Sequence, residues 1–280
     1  MHFQPRKLTE SHNCSRTIPF VGNKHMTRAI YINGQQLKEV SETKFLGVIL
    51  DNKLDWTSHI HHLNKKLRSA AALLSRIRHW IPEEQYLKIY HALFESHLTY
   101  GISVWGGVSD SKLNKIFTVQ KHSIRILFGD RKSYLEKFQT CARVRPKGEE
   151  KLGSEFYSRE HTKPLLTEHK LLAVRNLYHY FCTVDVFKIL KFRTPISLYD
   201  KYKVSNRETS LALITPKRSN QFFYKSSVAW NSVYKKCLEN PHCDLTTKIS
   251  YFKDAMKKLL LSKQNEGEKI EWQKSNFKLY

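Results

Sequence analysis

The spacing of apolar residues changes along the chain. Near the start, Ile30-Tyr31-Ile32, then Asn33-Gly34, then Gln35-Gln36-Leu37 read as a β-hairpin, because Asn-Gly accommodates the positive φ angles of a type I′ turn. Phe45-Leu46-Gly47-Val48-Ile49-Leu50 is a second strand-length apolar run, bounded by Lys44 and Asp51. After Trp56 the period lengthens. Ile60, Leu63, Leu67, Ala70, Ala71, Leu74 and Ile77 recur at helical spacing in a stretch that reaches Trp80. Pro82 followed by Glu83 and Glu84 marks a new helix start, with proline in the first turn and carboxylates at the positive dipole end. That helix runs through Tyr86, Tyr90, Leu93, Phe94 and Leu98 and stops near Gly101. A third begins at Ser109-Asp110, aligns Leu113, Ile116, Phe117, Gln120, Ile124 and Leu127, and ends before Gly129. Periodicity then lapses until Leu165-Leu166. A helix is predicted from Leu171 to Leu190, ended by Pro195, and another from Phe222 to Leu238; Thr209 to Pro216 reads as loop or short strand. The fold class expected is mainly α (α+β).

Charge changes this picture most. Of 280 residues, 48 are Lys or Arg and 25 are Asp or Glu, a formal +23, with a pI near 9.8. Such a chain is drawn to polyanions, since each neutralised phosphate releases condensed counterions. A hydrophobic fraction of 40% with 12% aromatic belongs to a folded protein. No apolar run approaches the roughly 20 residues of a membrane-spanning helix, and the first residues carry no apolar signal-peptide core. Cys14, Cys141, Cys182, Cys237 and Cys243 are odd in number and without a CxxC pair, which favours reduced thiols in an intracellular protein, nuclear or cytoplasmic.

Several strings, taken in order, resemble the C-terminal part of LINE-type, jockey-like non-LTR retrotransposon reverse transcriptases. They are Phe3-Gln4-Pro5-Arg6; Tyr31-Ile32-Asn33-Gly34; Lys44-Phe45-Leu46-Gly47-Val48-Ile49-Leu50-Asp51 with Leu54, Trp56, His59 and Ile60; Tyr100-Gly101-Ile102 with Val104-Trp105-Gly106; and Ser226-Ser227-Val228-Ala229-Trp230-Asn231. The resemblance covers most of residues 1–235 and implies the end of a palm, a thumb and the region beyond it. In such enzymes an adjacent aspartate pair holds the divalent metals of nucleotidyl transfer. This sequence has no Asp-Asp pair, so the resemblance implies a truncated copy that is no enzyme as it stands, with no cofactor and no metal.

A thumb of this family is implied to lay basic helices along a primer–template backbone. The outward sides of two predicted helices supply such residues: Lys65, Lys66, Arg68, Arg76 and Arg78 on the first, and Lys112, Lys115, Lys121 and Arg125 on the other. Exposed helix faces also carry Lys and Arg merely for solvation. The expected division is a β element over residues 1–55, a helical thumb-like region over 56–128, a charged connection over 129–161, a helical region over 162–256 and a basic, fraying tail over 257–280. The partner expected is RNA, DNA or their hybrid, without a membrane. Two other readings stand beside it: a piece of an RNA-directed DNA polymerase completed by upstream sequence, and an inert relic or protein-interaction module.

Other chemistry is weakly supported. His59, His61 and His62 point in different directions from a helix. Cys237, His242 and Cys243 have the wrong spacing for zinc and lack a fourth ligand. Glu149-Glu150-Lys151 fits an endonuclease triplet, but no Pro-Asp accompanies it. Trp56, Trp80, Trp105 and Trp230 could stack on bases or anchor a core.

Overall fold

The structure, a computed structural model, describes residues 16–18, 31–32, 34–129, 162–203, 212–215, 221–238, 245 and 247–266. Phe3-Gln4-Pro5-Arg6, the charged connection from residue 130 onward, the Glu149-Glu150-Lys151 triplet and residues 267–280 lie outside them. The described residues are mainly helical, as expected, and the chain divides into two compact units, residues 1–62 and 63–280.

The first unit is made of short strands: β1 (Arg16–Thr17), β2 (Tyr31–Ile32), β3 (Gln35–Gln36), β4 (Lys38–Glu39), β5 (Glu42–Phe45) and β6 (Val48–Asp51). β1 pairs in parallel with β4. β2 and β3 are antiparallel, with Ile32 opposite Gln35 and Gly34 at φ 76°; this is the hairpin that Asn-Gly predicts. The apolar run Phe45 to Leu50, expected as one strand, instead folds back on itself. Phe45 pairs with Val48, and Leu46 and Gly47 form the turn at φ 45° and 82°. Only the primed turn, with positive φ at both central residues, matches the twist of the flanking strands. A leucine at the first of these positions is unusual and costs about 1 kcal/mol, which is why the apolar pattern conceals the turn.

Helix α1 (Thr57–Ile77) begins in the first unit and continues in the second. Ile60, Leu63, Leu67, Ala70, Ala71 and Leu74 are all buried, so the predicted stripe is real. The helix stops at Ile77, a little short of Trp80, and Arg78–Trp80 close it as a 3-10 turn. After Pro82 and a second 3-10 turn, Glu83–Gln85, comes α2, whose segments Tyr86–Ile89, Tyr90–Glu95 and Ser96–Thr99 are α, π and α in turn. Gly101, at φ 62°, turns the chain into the short α3 (Ile102–Trp105). Helix α4 (Asp110–Phe128) then buries Leu113, Ile116, Gln120, Ile124 and Leu127.

The second unit packs around α6 (Val174–Phe192), which follows the short α5 (Lys163–Glu168). Residues on every side of α6 are buried, among them Leu177, Cys182, Val186, Phe187 and Leu190, as a helix enclosed by neighbours requires. It packs against α3, α4, α8 (Gln221–Leu238) and α9 (Ile249–Glu266). A short helix, α7 (Ile196–Tyr199), follows Pro195. Phe187 stacks on Phe252 with centroids 3.9 Å apart, and Trp230 lies 6.1 Å from Phe252.

Two features depart from the expected pattern here. Leu171 to Ala173 are not helical; α6 starts at Val174 because side-chain amides, one buried and one half-buried, take over the backbone groups ahead of it. Gln120 accepts the Val174 N–H at 2.8 Å and donates to the Leu172 carbonyl at 2.9 Å. Gln264 accepts the Ala173 N–H at 2.9 Å and donates to the Leu171 carbonyl at 3.1 Å. The basic tail expected to fray from Lys257 is helical through Glu266. Phe252, Met256 and Leu260 are buried on one side of it, continued by buried Lys263, a stripe that the intervening lysines obscure in the sequence.

Candidate nucleic-acid interface

Several of the residues that carry the resemblance hold the fold together. Asp51 organises the loop ahead of α1: its carboxylate accepts the N–H groups of Lys53 (3.1 Å), Asp55 (3.0 Å) and Trp56 (2.9 Å). Leu54 and Trp56 can then sit at φ 52° and 65°, a conformation that needs such outside support. Asp55 accepts the Thr57 N–H at 2.7 Å and caps the helix start. His59, buried, accepts the Ile49 N–H through Nδ1 at 3.3 Å, and its ring meets Trp56 edge-on. The spacing of Asp51, Leu54, Trp56, His59 and Ile60 is therefore the spacing of one hydrogen-bonded loop and the turn after it. In the hairpin, Lys44 opposes Ile49, while Phe45 and Leu46 are exposed.

The downstream motifs behave alike. Trp105 is fully buried and its Nε1–H donates to the Tyr100 carbonyl at 2.9 Å. A Cβ at Gly106 would fall 2.6 Å from the Tyr178 ring, so only glycine lets α3 end against α6. Trp230 is buried, and Asn231 exchanges two hydrogen bonds with the backbone of Leu213, accepting at 2.9 Å and donating at 2.8 Å.

The predicted cations separate into two groups. Lys65, Lys66, Arg68 and Arg76 are exposed on α1, opposite its buried stripe. At about 100° per residue, Lys65 and Arg76 lie on one line, with Arg68 and Lys66 flanking it and the small residues Ser69 and Ala72 between. Arg68 donates to Asn64 at 2.9 Å, an arrangement that holds the guanidinium along the helix surface. From Thr57 to Pro82 there is no Asp or Glu. Lys65 to Arg76 extend over about 16 Å of helix, along which a duplex presents on the order of ten phosphates.

Arg78 is placed differently. It is half-buried, its Nη2 donates to the Gly129 carbonyl at 2.9 Å, and its guanidinium lies 6.0 Å from the centre of the Tyr86 ring. It thereby ties the end of α1 to the end of α4. On α4, Lys115 is exposed, but Lys112, Lys121 and Arg125 are half-buried. Lys121 lies 4.9 Å over Phe117. The one carboxylate of α4, Asp110, is paired with Arg175 at 2.5 Å.

Nucleophilic and metal chemistry find little footing among the described residues. The Cys182 thiol is pushed up to about 12, first by burial, which keeps it protonated and inert. His179 is depressed to about 3, chiefly by burial and then by Arg175 and Lys263. No group of three or more His, Cys, Asp or Glu side chains among the described residues is arranged to hold a metal. A cleft of about 640 Å³ includes Arg78, His79, Glu83, Glu84, Glu168 and His169 in its wall, a mixture of signs that favours neither anion nor cation. No helix among the described residues is long and apolar enough to cross a membrane.

Sequence reasoning missed two kinds of residue. Gln120 stands in the predicted apolar stripe without a role assigned to its amide, and Gln264 falls in the tail, yet the two set where α6 begins. Trp80 looks like the other tryptophans in the sequence, yet it is 85% exposed; its place after the last residue of the apolar stripe is the signal that separates it.

The described fold thus defines a basic, mainly helical protein with a carboxylate-free helix face. Comparison with known proteins finds relatives over part of the chain. The chain is 27% identical over 119 residues to a probable RNA-directed DNA polymerase from transposon X-element of Drosophila melanogaster, covering 41% of this chain and 13% of that protein. It is 32% and 29% identical over 103 residues to RNA-directed DNA polymerases from mobile element jockey of Drosophila funebris and Drosophila melanogaster, covering 36% of this chain and 11% of each. The resemblance to a jockey-like reverse transcriptase is therefore shown over part of the chain, which spans little more than a tenth of the length of these curated relatives. No protein-family model and no solved structure matches.

Proposed function

We propose that this reverse-transcriptase-like chain binds the phosphate backbone of RNA, DNA or their hybrid, with little regard to sequence, through the outward face of α1. The observation that carries this reading is the charge of that face: Lys65, Lys66, Arg68 and Arg76 are exposed, and no carboxylate occurs from Thr57 to Pro82. A solvated surface helix ordinarily mixes both signs, because opposite charges one turn apart stabilise it. A helix that forgoes those pairs carries a net positive field, which suits a polyanion. Lys115, also exposed, is a further candidate contact, whereas Lys112, Lys121, Arg125 and Arg78 are half-buried. In this reading the chain acts inside the cell, in nucleus or cytoplasm, and does not polymerise on its own, as its sequence has no adjacent aspartates to hold metal.

The test is a salt titration of binding to a labelled duplex. The logarithm of the association constant should fall linearly with the logarithm of salt, with a slope of about −0.9 for each phosphate contact. Absence of binding at low salt, or an affinity indifferent to ionic strength, overturns the reading. A second reading, a portion of a longer RNA-directed DNA polymerase, is favoured by the small share of its relatives that the chain spans. Template-dependent nucleotide incorporation, measured with the chain alone and with its upstream coding sequence restored, tests it.

A further inference from the structure

From the placement of one exposed indole, we infer that Trp80 is a stacking platform for an unpaired base where the bound nucleic acid leaves the basic face of α1. This rests on the function proposed above and names the form of nucleic acid the site prefers: a duplex with a single-stranded extension.

Tryptophan is among the most buried residues on average, because its large apolar face is costly to leave in water. Here Trp105 and Trp230 are fully buried and Trp56 is half-buried, while Trp80 is 85% exposed. Its backbone is nevertheless held. The Tyr86 hydroxyl donates to the Arg78 carbonyl at 3.0 Å, Arg78 donates to Gly129 at 2.9 Å, and Tyr86 packs edge-on against Phe128. The 3-10 turn is thus anchored on one side and presents its indole on the other. A turn already held in place has little backbone entropy left to lose when a flat partner stacks on its indole.

Charge indicates what that partner is. Arg76 lies one turn before Trp80, on the face that carries Lys65 and Arg68, and His79 beside it is exposed. Just beyond, Glu83 and Glu84 are exposed carboxylates. The carboxylate-free run thus ends just past Trp80, and a phosphate backbone following α1 meets its first carboxylates there. An uncharged aromatic surface at such a limit suits a base that has left its helix, since every base offers a π-face whatever its identity.

The experiment compares the full chain with Trp80→Ala and Trp80→Phe on two labelled probes, a blunt RNA–DNA hybrid and the same hybrid with a short single-stranded extension. The wild-type chain should favour the extended probe by roughly 5- to 100-fold, the range that stacking of one base supplies. Trp80→Ala should abolish that preference and leave blunt binding and its salt slope unchanged, and Trp80→Phe should keep most of the preference. Equal binding of both probes by the wild type, or a preference that survives Trp80→Ala, overturns the inference while the backbone-binding reading stands. Loss of blunt and extended binding together in Trp80→Ala also overturns it. So does concentration-dependent self-association removed by Trp80→Ala, which would place a second copy over the indole. Failure of the wild type to bind either probe at low salt sinks both readings at once.

Discussion

Helices α1 and α4 are written in the same pattern, with one apolar stripe and lysines and arginines outside, and they differ in what becomes of those cations. On α1 the stripe alone is engaged, and Lys65, Lys66, Arg68 and Arg76 face solvent. On α4 the outward residues are drawn into packing: Lys121 covers Phe117, Arg125 is half-buried, and Asp110 holds Arg175. Gln120, in the apolar stripe of α4, is fully buried and bonds the backbone ahead of α6. A basic residue on a helix surface thus stays open to solvent or is drawn into packing, according to what surrounds the helix. α4 packs directly against both α5 and α6, and its carboxylate Asp110 is paired with Arg175 of α6.

Four measurements break or sharpen this contrast. The largest effect is expected from replacing Lys65, Lys66, Arg68 and Arg76 together by Gln. The slope of log affinity against log salt should become shallower by roughly 3 to 4, at about 0.9 per contact, with unfolding by urea little changed. The matched set Lys112, Lys115, Lys121 and Arg125→Gln should change the slope by about 1, since only Lys115 is exposed. Equal slopes for the two sets would erase the distinction.

Next comes Gln120→Leu. It deletes bonds to Leu172 and Val174 and a 3.2 Å contact with the Tyr90 hydroxyl, leaving buried backbone groups unsatisfied. A loss of about 2–4 kcal/mol in urea unfolding is expected, with salt-dependent binding unaltered under conditions where the variant is folded. A loss below the measurement error would show that α4 is not held in this way.

A third effect follows from His179, whose pKa in the folded chain is depressed to about 3 from an ordinary 6.5. The unfolded chain therefore binds the extra proton first as pH falls. Stability is fully present above about pH 6.5 and declines as pH drops from there toward 3, by up to about 1.4 kcal/mol per pH unit. Urea midpoints at pH 7.5 and 5 should differ in that direction, and His179→Gln should flatten the difference. His122, also depressed by burial and by Arg125, contributes in the same sense, so the flattening is partial.

The smallest effect is expected at Arg78, predicted from sequence as a phosphate contact alongside its neighbours. Arg78→Ala removes the bond to Gly129 and should cost about 1 kcal/mol of stability, while the salt slope of binding stays within about 0.3 of the wild type. A slope shallower by a full contact would return Arg78 to the binding face.

Much of the helical plan was legible because burial acts on a fixed period. Ile60 through Ile77, Tyr86 through Leu98 and Leu113 through Leu127 appear as stripes in the sequence and as buried or partly buried sides in the structure. The turn at Leu46-Gly47 was not legible, since a leucine at positive φ hides it. Nor was the helix Ile249–Glu266, whose lysines interrupt the apolar spacing. The candidate surface was half legible: the cations of α1 and α4 look equivalent until the neighbours of each helix are known.

Local rules operate on neighbouring residues, and so the sequence by itself determined the sign of the charge, the carboxylate-free run from Thr57 to Pro82, the helix stripes and a partial resemblance to jockey-like polymerases. What lay beyond those rules depended on groups distant in the chain. Gln120 and Gln264 decide where α6 starts, Arg78 is claimed by Gly129, and Trp80 is left in water while Trp105 and Trp230 are enclosed. Periodicity says which side of a helix is apolar; only packing says which of its polar side chains remain available to a ligand.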